Sequence, residues 1–237
     1  MNTRDTKLLT TAMHSFNSEN FQQAILNSQK LLLRTQNCLT IYELLIASFA
    51  EIGDFANSIK YAMRVLELES EGRSFGIKEF DFGNVRLYKK LSYLYREFKD
   101  LNRANTYRAK AVSISNTASN SFCELGVSLD KNKEYKKAEE LFKQAREFIL
   151  LTFDLSNKVE LVLNNLGSVS LSLGETEDCI KYYVESSNIA PLDETSLLNL
   201  AIALRDNNDF DKALDTLNRL KKYKPKNSNI DFRISEL

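Results

Sequence analysis

A short sequence pattern recurs in this chain with a period of 34 residues, and that period limits the possible folds more than any other feature. In most copies a small residue follows three positions after a bulkier one, as Ala24 follows Phe21 and Ala138 follows Tyr135. Three of the five intervals between the small residues are 34 positions, and the other two are longer by 12 and by 7. The small residues are Ala24, Ser58, Ala104, Ala138, Cys179 and Ala213. Such self-similarity is typical of proteins in which each copy is one small unit packed against its neighbours.

Apolar residues within each copy follow the period of an α-helix. Leu197, Leu200, Ala201 and Leu204 occupy positions i, i+3, i+4 and i+7, which places them on one helical face. A polar break such as residues 207–209 follows, and then a second helical pattern begins. With 7 Gly and 2 Pro among 237 residues, few positions can interrupt a helix. We therefore predict an all-α chain in which each copy is a helix, a tight turn and an antiparallel helix.

The residues at these positions resemble the tetratricopeptide repeat. The family pattern is an aromatic residue, then Leu-Gly, then Tyr, then Ala, then an aromatic residue, then Ala and Pro. The fourth copy matches it with Phe122, Leu125, Gly126, Leu129, Tyr135, Ala138, Phe142 and Ala145. The small residues let two helices cross closely while the aromatic side chains fill the remaining volume. The resemblance implies a right-handed superhelical solenoid whose first helices line a concave groove.

We predict a single solenoid over residues 1–237, built from about six such repeats. The repeats cover residues 5–38, 39–72, 85–118, 119–152, 160–193 and 194–227. Residues 73–84 form an insert that we expect to pack on the solenoid, because its three phenylalanines require burial. Residues 228–237 form a C-terminal capping segment for the last repeat.

Charge is unevenly distributed, although the 32 basic and 32 acidic side chains cancel. Residues 85–118 carry 8 basic and 2 acidic side chains, whereas residues 39–72 carry 2 and 6, and residues 160–193 carry 1 and 6. The helical period and the resemblance place five residues of the basic repeat on the groove side: Arg86, Lys89, Lys90, Tyr93 and Arg96. Such a surface favours an acidic segment of a partner through complementary charge.

The later repeats offer a different set of groove-facing residues. Asn165 and Asn199 occupy the same position in successive repeats, and Asn164 is adjacent. Because an amide both donates and accepts hydrogen bonds, such a row can hold a peptide backbone, as in the asparagine ladder of some tetratricopeptide proteins. Glu124 and Arg205 are charged candidates on the same side. Four apolar residues there favour the shielding of an apolar segment instead: Leu161, Leu171, Leu198 and Ile202.

Catalysis finds little support in the sequence. His14 is the single histidine, so a multi-His metal site is excluded and a Ser-His or Cys-His nucleophile would depend on that residue. The three cysteines lack CxxC spacing, which favours reduced thiols in the cytosol. No apolar stretch is long enough to cross a membrane, and the acidic repeats on either side of the basic one disfavour nucleic acid. We expect a cytoplasmic protein without cofactor, metal or enzymatic activity.

The hypothesis for function is a scaffold or adaptor that binds a peptide or protein segment in the concave groove. One alternative is a dedicated secretion or assembly chaperone that shields an apolar client segment. Another is a regulatory domain that senses a small ligand or a signalling peptide. The sequence leaves open whether the basic third repeat or the apolar fifth and sixth repeats carry binding, and self-association is possible.

Overall fold

The chain is helical in almost all of the part that the structure describes. The computed structural model describes residues 3–35, 38–71, 82–152 and 158–237. Within these ranges the chain forms 12 α-helices and no β-strand, which confirms the all-α prediction. The helices are α1 (Thr3–Asn17), α2 (Phe21–Leu32), α3 (Leu39–Glu51), α4 (Phe55–Ser70), α5 (Phe82–Glu97), α6 (Leu101–Lys131), α7 (Tyr135–Thr152), α8 (Lys158–Ser172), α9 (Thr176–Ile189), α10 (Glu194–Asp206), α11 (Phe210–Tyr223) and α12 (Ser228–Ser235).

Every predicted turn within a repeat has the same backbone geometry. One residue of the turn has a left-handed backbone, and the next residue donates its N–H to the carbonyl five positions earlier, as Asp54 does to Phe49 at 2.9 Å. This arrangement satisfies the carbonyls at the end of the first helix. The left-handed residues are Glu19, Gly53, Lys99, Lys133, Gly174 and Asn208. Each lies five positions before the small residue of its repeat, so six helix–turn–helix pairs are confirmed among the described residues.

Small residues allow the two helices of a pair to cross closely. A Cβ atom on Gly126 would lie 2.7 Å from the ring of Phe142, and one on Gly167 would lie 2.6 Å from the ring of Tyr183. Non-bonded carbon atoms pack at about 3.5–4.0 Å, so no side chain fits at either glycine. In the second pair, Ser58 donates a 2.7 Å hydrogen bond across the crossing to a carbonyl of α3. The predicted role of the small residues is confirmed at these crossings.

The junction of the third and fourth repeats does not interrupt the helix. The repeats were expected to meet at residues 118 and 119, but α6 continues through this point as one helix of 31 residues. Residues 112–121 contain neither Gly nor Pro, so no residue there disfavours helical backbone strongly. At the junction between α9 and α10, by contrast, Pro191 lies in the break. Helix α6 therefore serves as the second helix of one pair and the first helix of the next.

The predicted insert at residues 73–84 is mostly not described by the structure. Its last three residues, 82–84, belong to the first turn of α5 and so form part of the helix rather than of an insert. Residues 73–81 lie outside the described residues, and their packing as an ordered excursion stays a prediction.

The helices form two compact units, Met1–Ile114 and Ser115–Leu237, and the division falls within α6. The core of the first unit includes Leu91 and Leu94 of α5, packed with residues of α3 and α4. The core of the second unit includes Phe142 of α7, packed with residues of α8. Each unit therefore has an apolar core of its own, and the single uninterrupted solenoid over residues 1–237 stays a prediction.

The C-terminal helix α12 closes the last pair. Ile230 is fully buried and packs with Leu217 and Leu220 of α11. Asn227 caps the helix by accepting a hydrogen bond from the N–H of Asn229. An apolar residue on one face of this helix thus covers the core that a further repeat would otherwise cover, as expected for a capping segment.

Candidate functional site

Helix α5 of the first unit exposes an aromatic ring between two cations. The side chain of Tyr93 is 41% exposed. The Nζ atom of Lys90 and the Cζ atom of Arg96 each lie 5.5 Å from the centroid of its ring. These three residues, here called the α5 strip, are three positions apart and lie along one side of the helix. Because the negative face of the ring attracts a cation, it holds both charged groups beside an exposed apolar surface.

The other two predicted residues of this helix precede the α5 strip. Arg86 is exposed and Lys89 is half-buried, and each already has an interaction partner. Within the strip, the Nε atom of Arg96 lies 3.6 Å from the Oε1 atom of Glu97. Lys90 forms no ion pair with any described residue. The structure thus brings three of the five predicted residues together and places the other two on the same helix.

Three stacked tyrosines hold α5 against α6. The ring centroid of Tyr107, on α6, lies 5.9 Å from that of Tyr88 and 5.5 Å from that of Tyr95. Lys110 places its Nζ atom 5.2 Å from the ring of Tyr107. Burial raises the pKa of Tyr88 and of Tyr107, so both hydroxyls stay protonated at neutral pH. Each aromatic pair contributes about 0.5–1.5 kcal/mol beyond its buried area, and this tyrosine stack therefore fixes the helix that carries the α5 strip.

In the second unit, α6, α7 and α8 enclose a small cavity. Its volume is about 190 Å³, and its lining residues are Ser119, Asn120, Cys123, Glu124, Ile149, Leu161 and Val162. Glu124 is exposed and forms no ion pair with any described residue. Leu161 is 56% exposed although it borders the cavity. The structure therefore brings together two candidates from different repeats, one acidic and one apolar.

Asn164 takes part in a contact between α8 and α10. Its Nδ2 atom donates a 2.9 Å hydrogen bond to Oγ of Ser196. The same Oγ lies 2.9 Å from Oδ2 of Asp193 and 3.3 Å from Oε1 of Glu160. Burial and the neighbouring carboxylate of Asp193 raise the pKa of Glu160. These four residues, here called the polar cluster, use the amide nitrogen that was expected to hold a peptide.

The remaining candidates of the second unit differ in whether their side chains already have hydrogen-bond or ion-pair partners. Asn165 and Asn199 are half-buried and form no hydrogen bond through their side chains with described residues, so the expected row of amides stays a prediction. Arg205 lies 2.9 Å from Oδ1 of Asp206 and 3.3 Å from Oε2 of Glu236. Its charge is therefore balanced, and it connects α10 to the end of the capping segment.

Sequence reasoning missed a groove in the first unit, between the second helices α2 and α4. The groove has a volume of about 660 Å³, and its polar lining includes Gln29, Lys60 and Arg64. Arg64 pairs with Glu67 at 2.9 Å and with Glu71 at 3.4 Å. Lys60 forms no ion pair with any described residue. The 34-residue period of the sequence indicates such a groove, because second helices of neighbouring repeats lie beside each other.

A second missed groove lies in the second unit, between α9 and α11. Its volume is about 460 Å³. Its lining residues are Ile180 and Val184 of α9, Leu200 and Leu204 of α10, and Asp209, Asp211, Lys212, Asp215 and Thr216 at α11. The sequence feature that indicates an apolar surface here is the presence of Ile180 and Val184 outside the predicted core positions of the repeat.

The described residues show few features of a catalytic site or of a metal site. His14 is exposed on α1. Burial raises the pKa of Cys179 to about 11, so its thiol is protonated and unreactive at neutral pH. The described residues contain no group of three or more His, Cys, Asp or Glu side chains that could hold a metal ion. Among the described helices, none combines the length and the apolar character needed to cross a membrane.

Comparison with known proteins identifies one repeat by sequence. Residues 195–227 match the family model described as the tetratricopeptide repeat. The matched segment contains most of α10, the turn at Asn208 and all of α11. No curated protein sequence matches the chain.

Several solved structures are similar to this chain at low sequence identity. The complex of the TPR2AB domain of yeast Sti1 with pHSP90 is 12% identical, with 98% of this chain and 97% of that chain covered and a TM-score of 0.43. The MamA protein is 21% identical, with 80% and 93% covered and a TM-score of 0.40. BtubC from P. vanneervenii is 18% identical, with 94% and 92% covered and a TM-score of 0.42.

The matched segment has the same turn geometry as the other helical pairs. The turn at Asn208, inside the matched segment, has the backbone geometry that recurs at five other turns with the intervals seen in the sequence. Proteins built from this repeat are generally non-catalytic and serve as scaffolds for protein–protein interaction. Residues 195–227 are therefore identified by sequence as a tetratricopeptide repeat, and five further turns among the described residues share the backbone geometry of its turn.

Proposed function

We propose that this protein is a non-catalytic adaptor that binds an acidic segment of another protein at the α5 strip. The observation that carries the proposal is the position of Lys90 and Arg96, which flank the exposed ring of Tyr93 at 5.5 Å each. A segment with an apolar side chain between carboxylates would meet the ring and both cations at once. Tyrosine and arginine are the residue types that most often dominate the energy of protein interfaces.

Two properties of the surroundings support this surface. Residues 85–118 have a net charge of +6, which raises the rate at which an acidic segment encounters the strip. The tyrosine stack holds α5 on α6, so little backbone ordering is needed on binding. A preformed and strongly basic helix face therefore favours a short acidic segment over a neutral one.

The test uses a labelled peptide in which one Phe is flanked by Glu residues, with fluorescence anisotropy as the readout. We expect the double variant Lys90→Glu/Arg96→Glu to bind it at least about tenfold more weakly, which corresponds to roughly 1.4 kcal/mol. The matched control is Lys99→Glu/Arg108→Glu, which changes the charge of the same unit equally at exposed positions that are not part of the strip. Glutamate already occupies the turn position equivalent to Lys99, at Glu19, so the control should fold.

Two results would contradict the proposal. Equal weakening in both double variants would show that the peptide responds to the overall charge of the unit and not to the strip. Unchanged binding in Lys90→Glu/Arg96→Glu would remove the strip from the interaction altogether. Far-UV circular dichroism of each variant separates loss of binding from loss of fold.

A second candidate function is favoured by the cavity beside Leu161. An exposed leucine next to a 190 Å³ cavity is suited to shielding an apolar side chain of a client, as a secretion or assembly chaperone does. The variant Leu161→Asn should then weaken binding of an apolar peptide and leave binding of the acidic peptide unchanged. If Leu161→Asn leaves apolar-peptide binding unaffected, the shielding function is rejected.

A further inference from the structure

We propose that the groove between α9 and α11 is a second interaction surface, which binds an amphipathic helix with basic residues along one edge from another protein. The surface lies in the second unit, on second helices, whereas the α5 strip lies on a first helix of the first unit. The proposal is independent of the function proposed for the strip, because no residue is shared between the two surfaces.

The groove provides an apolar seat. Leu200 and Leu204 of α10 are 6% and 5% exposed and form part of its lining. Val184 of α9 is 39% exposed on one wall, and Ile180 is half-buried beside it. Covering such side chains contributes about 25 cal/mol for each Å² of apolar surface removed from water. The apolar face of a helix is a suitable occupant because one ridge of side chains fits between two neighbouring helices.

The edge of the groove along α11 is acidic. Asp211 and Asp215 line it four positions apart, which is roughly 6 Å along the helix axis and on the same side. Neither forms an ion pair with a described residue. Lys212 is the basic residue of the lining, and it pairs with Asp209 at 3.4 Å. Two uncompensated carboxylates therefore remain beside the apolar seat.

Charge complementarity decides the chemistry of the occupant. An occupant without cations would bring two carboxylates near an apolar surface and lose part of their hydration without compensation. A helix that carries Lys or Arg four positions apart presents two cations at the same axial spacing as Asp211 and Asp215. The groove therefore selects for basic amphipathic helices and against acidic ones, whereas the α5 strip selects for acidic segments.

The test uses two synthetic peptides of about 15 residues, a length at which helices begin to form in water. Both have the same leucine face, and one has Lys where the other has Glu at positions four apart. We expect the Lys peptide to bind the full chain and to bind Asp211→Asn/Asp215→Asn at least tenfold more weakly in fluorescence anisotropy. The control Asp130→Asn/Glu140→Gln removes two carboxylates from the same unit, outside the lining of this groove, and should keep full binding. Val184→Ser should also weaken binding, because it removes apolar surface at an exposed wall position.

Each remaining outcome counts against the proposal. Failure of the Lys peptide to bind the wild-type chain, or equal binding of the Lys and Glu peptides, overturns the assigned chemistry. Equal weakening in the control variant shows that overall charge and not the groove is responsible. Sedimentation that reveals self-association abolished by Asp211→Asn/Asp215→Asn would assign the groove to a second copy of this chain instead. Lys90→Glu/Arg96→Glu should leave Lys-peptide binding intact, so the failure of either proposal can be recognised separately.

Discussion

The grooves of the two units occupy corresponding places in the repeat but differ in charge. Lys60 in the first unit and Asp215 in the second both lie two positions after the small residue of their second helix, and each lines its groove. Gln29 and Val184 likewise both lie five positions after it. The two grooves are therefore built at equivalent positions of the repeat, and different residue types at those positions give them different charge. The repeat predicts that a groove exists, and only the side chains decide what fits into it.

The two units also pack their helices differently. In the second unit, Gly126 and Gly167 lie against the rings of Phe142 and Tyr183. The corresponding position in the third repeat is Ser92, and there the tyrosine stack of the first unit joins α5 to α6. The second unit thus packs rings against glycine backbone, in addition to stacking Phe122 on Phe148, whereas the first unit has a stack of three tyrosines. Substitutions that remove a ring from each unit should show how much each kind of packing contributes to the free energy of unfolding.

The largest effect is expected for Phe142→Ala. Phe142 is 1% exposed, and loss of its ring leaves a cavity next to Gly126 that the rigid helix backbone cannot fill. We expect the free energy of unfolding to fall by about 3–5 kcal/mol, measured by urea denaturation with far-UV circular dichroism. Tyr107→Ala should cost less, because Tyr107 is only half-buried. The control Leu101→Ala, at an exposed position, should stay within about 0.5 kcal/mol. A greater loss in Tyr107→Ala than in Phe142→Ala would contradict the comparison.

A smaller loss is expected for Gly167→Ala. Alanine is the better helix former by about 1 kcal/mol, but its Cβ would lie 2.6 Å from the ring of Tyr183. Overpacking of this kind costs about 1–3 kcal/mol, and because the ring is buried we expect a net decrease in the free energy of unfolding. Ser92→Ala, at the corresponding position of the first unit, already has room for a Cβ and should change stability little. A stabilised Gly167→Ala variant would show that the ring moves aside without cost.

Much of the fold could be predicted because the pattern repeats. A single copy of the spacing between Ala104 and Ala138 would have little weight, but several intervals of 34 residues identify corresponding positions along the chain. The left-handed turn residues keep the same intervals, although only Gly53 and Gly174 among them are glycines. Residue type alone would have missed the turns at Glu19, Lys99 and Lys133, since Glu and Lys rarely adopt this backbone conformation, whereas Asn208 is of a type that does.

The site was less predictable because its chemistry depends on contacts between distant residues. The helical period identified Asn164 as a candidate, but not its hydrogen bond to Ser196, 32 positions away. Arg205 was likewise recognised as charged, while its pairing with Glu236 depends on how α12 packs. Helix α6 is continuous because no strong helix breaker lies where the two repeats meet. The period places a repeat boundary there whether or not the helix breaks, so the period alone did not predict a continuous helix. Periodicity predicts the face of a side chain, not its neighbour across the interface.

In the second unit, substitutions at two left-handed turn residues should change the free energy of unfolding by about 1 kcal/mol in opposite directions. Gly174 has φ of 77°, and a Cβ there would meet no atom within 4 Å, so the cost of Gly174→Ala is backbone strain alone. We expect a loss of about 1 kcal/mol in the free energy of unfolding from urea denaturation. Lys133 has φ of 64° without being glycine, so Lys133→Gly should relieve strain and stabilise the protein by a few tenths of a kcal/mol to about 1 kcal/mol. Gly53→Ala and Lys99→Gly are the matched pair in the first unit. Changes of the same sign for both substitutions would disprove the assignment of strain.

The smallest effect should be a difference in pH dependence at the polar cluster. Burial and the nearby Asp193 carboxylate raise the pKa of Glu160 above its ordinary value of 4.5. Because a raised pKa means that the folded state binds the proton more tightly, this contribution to stability is complete below pH 4.5 and is lost as the pH rises through the raised pKa. Glu160→Gln stays neutral, so the free energy of unfolding of the wild-type chain should fall relative to the variant over that range.

Urea denaturation of both proteins at a series of pH values measures this difference directly. Asp193→Asn should reduce the same pH dependence, because it removes the carboxylate that, after burial, raises the pKa of Glu160 by its charge and by a hydrogen bond. Asparagine can still cap α10 at this position, so the effect on pH dependence can be separated from loss of the cap. If wild-type and Glu160→Gln curves run parallel above pH 4.5, the carboxyl proton of Glu160 does not contribute to the contact between α8 and α10. Glu160 would then take part in the polar cluster only as a hydrogen-bond acceptor for Ser196, while Asn164 donates to the same hydroxyl.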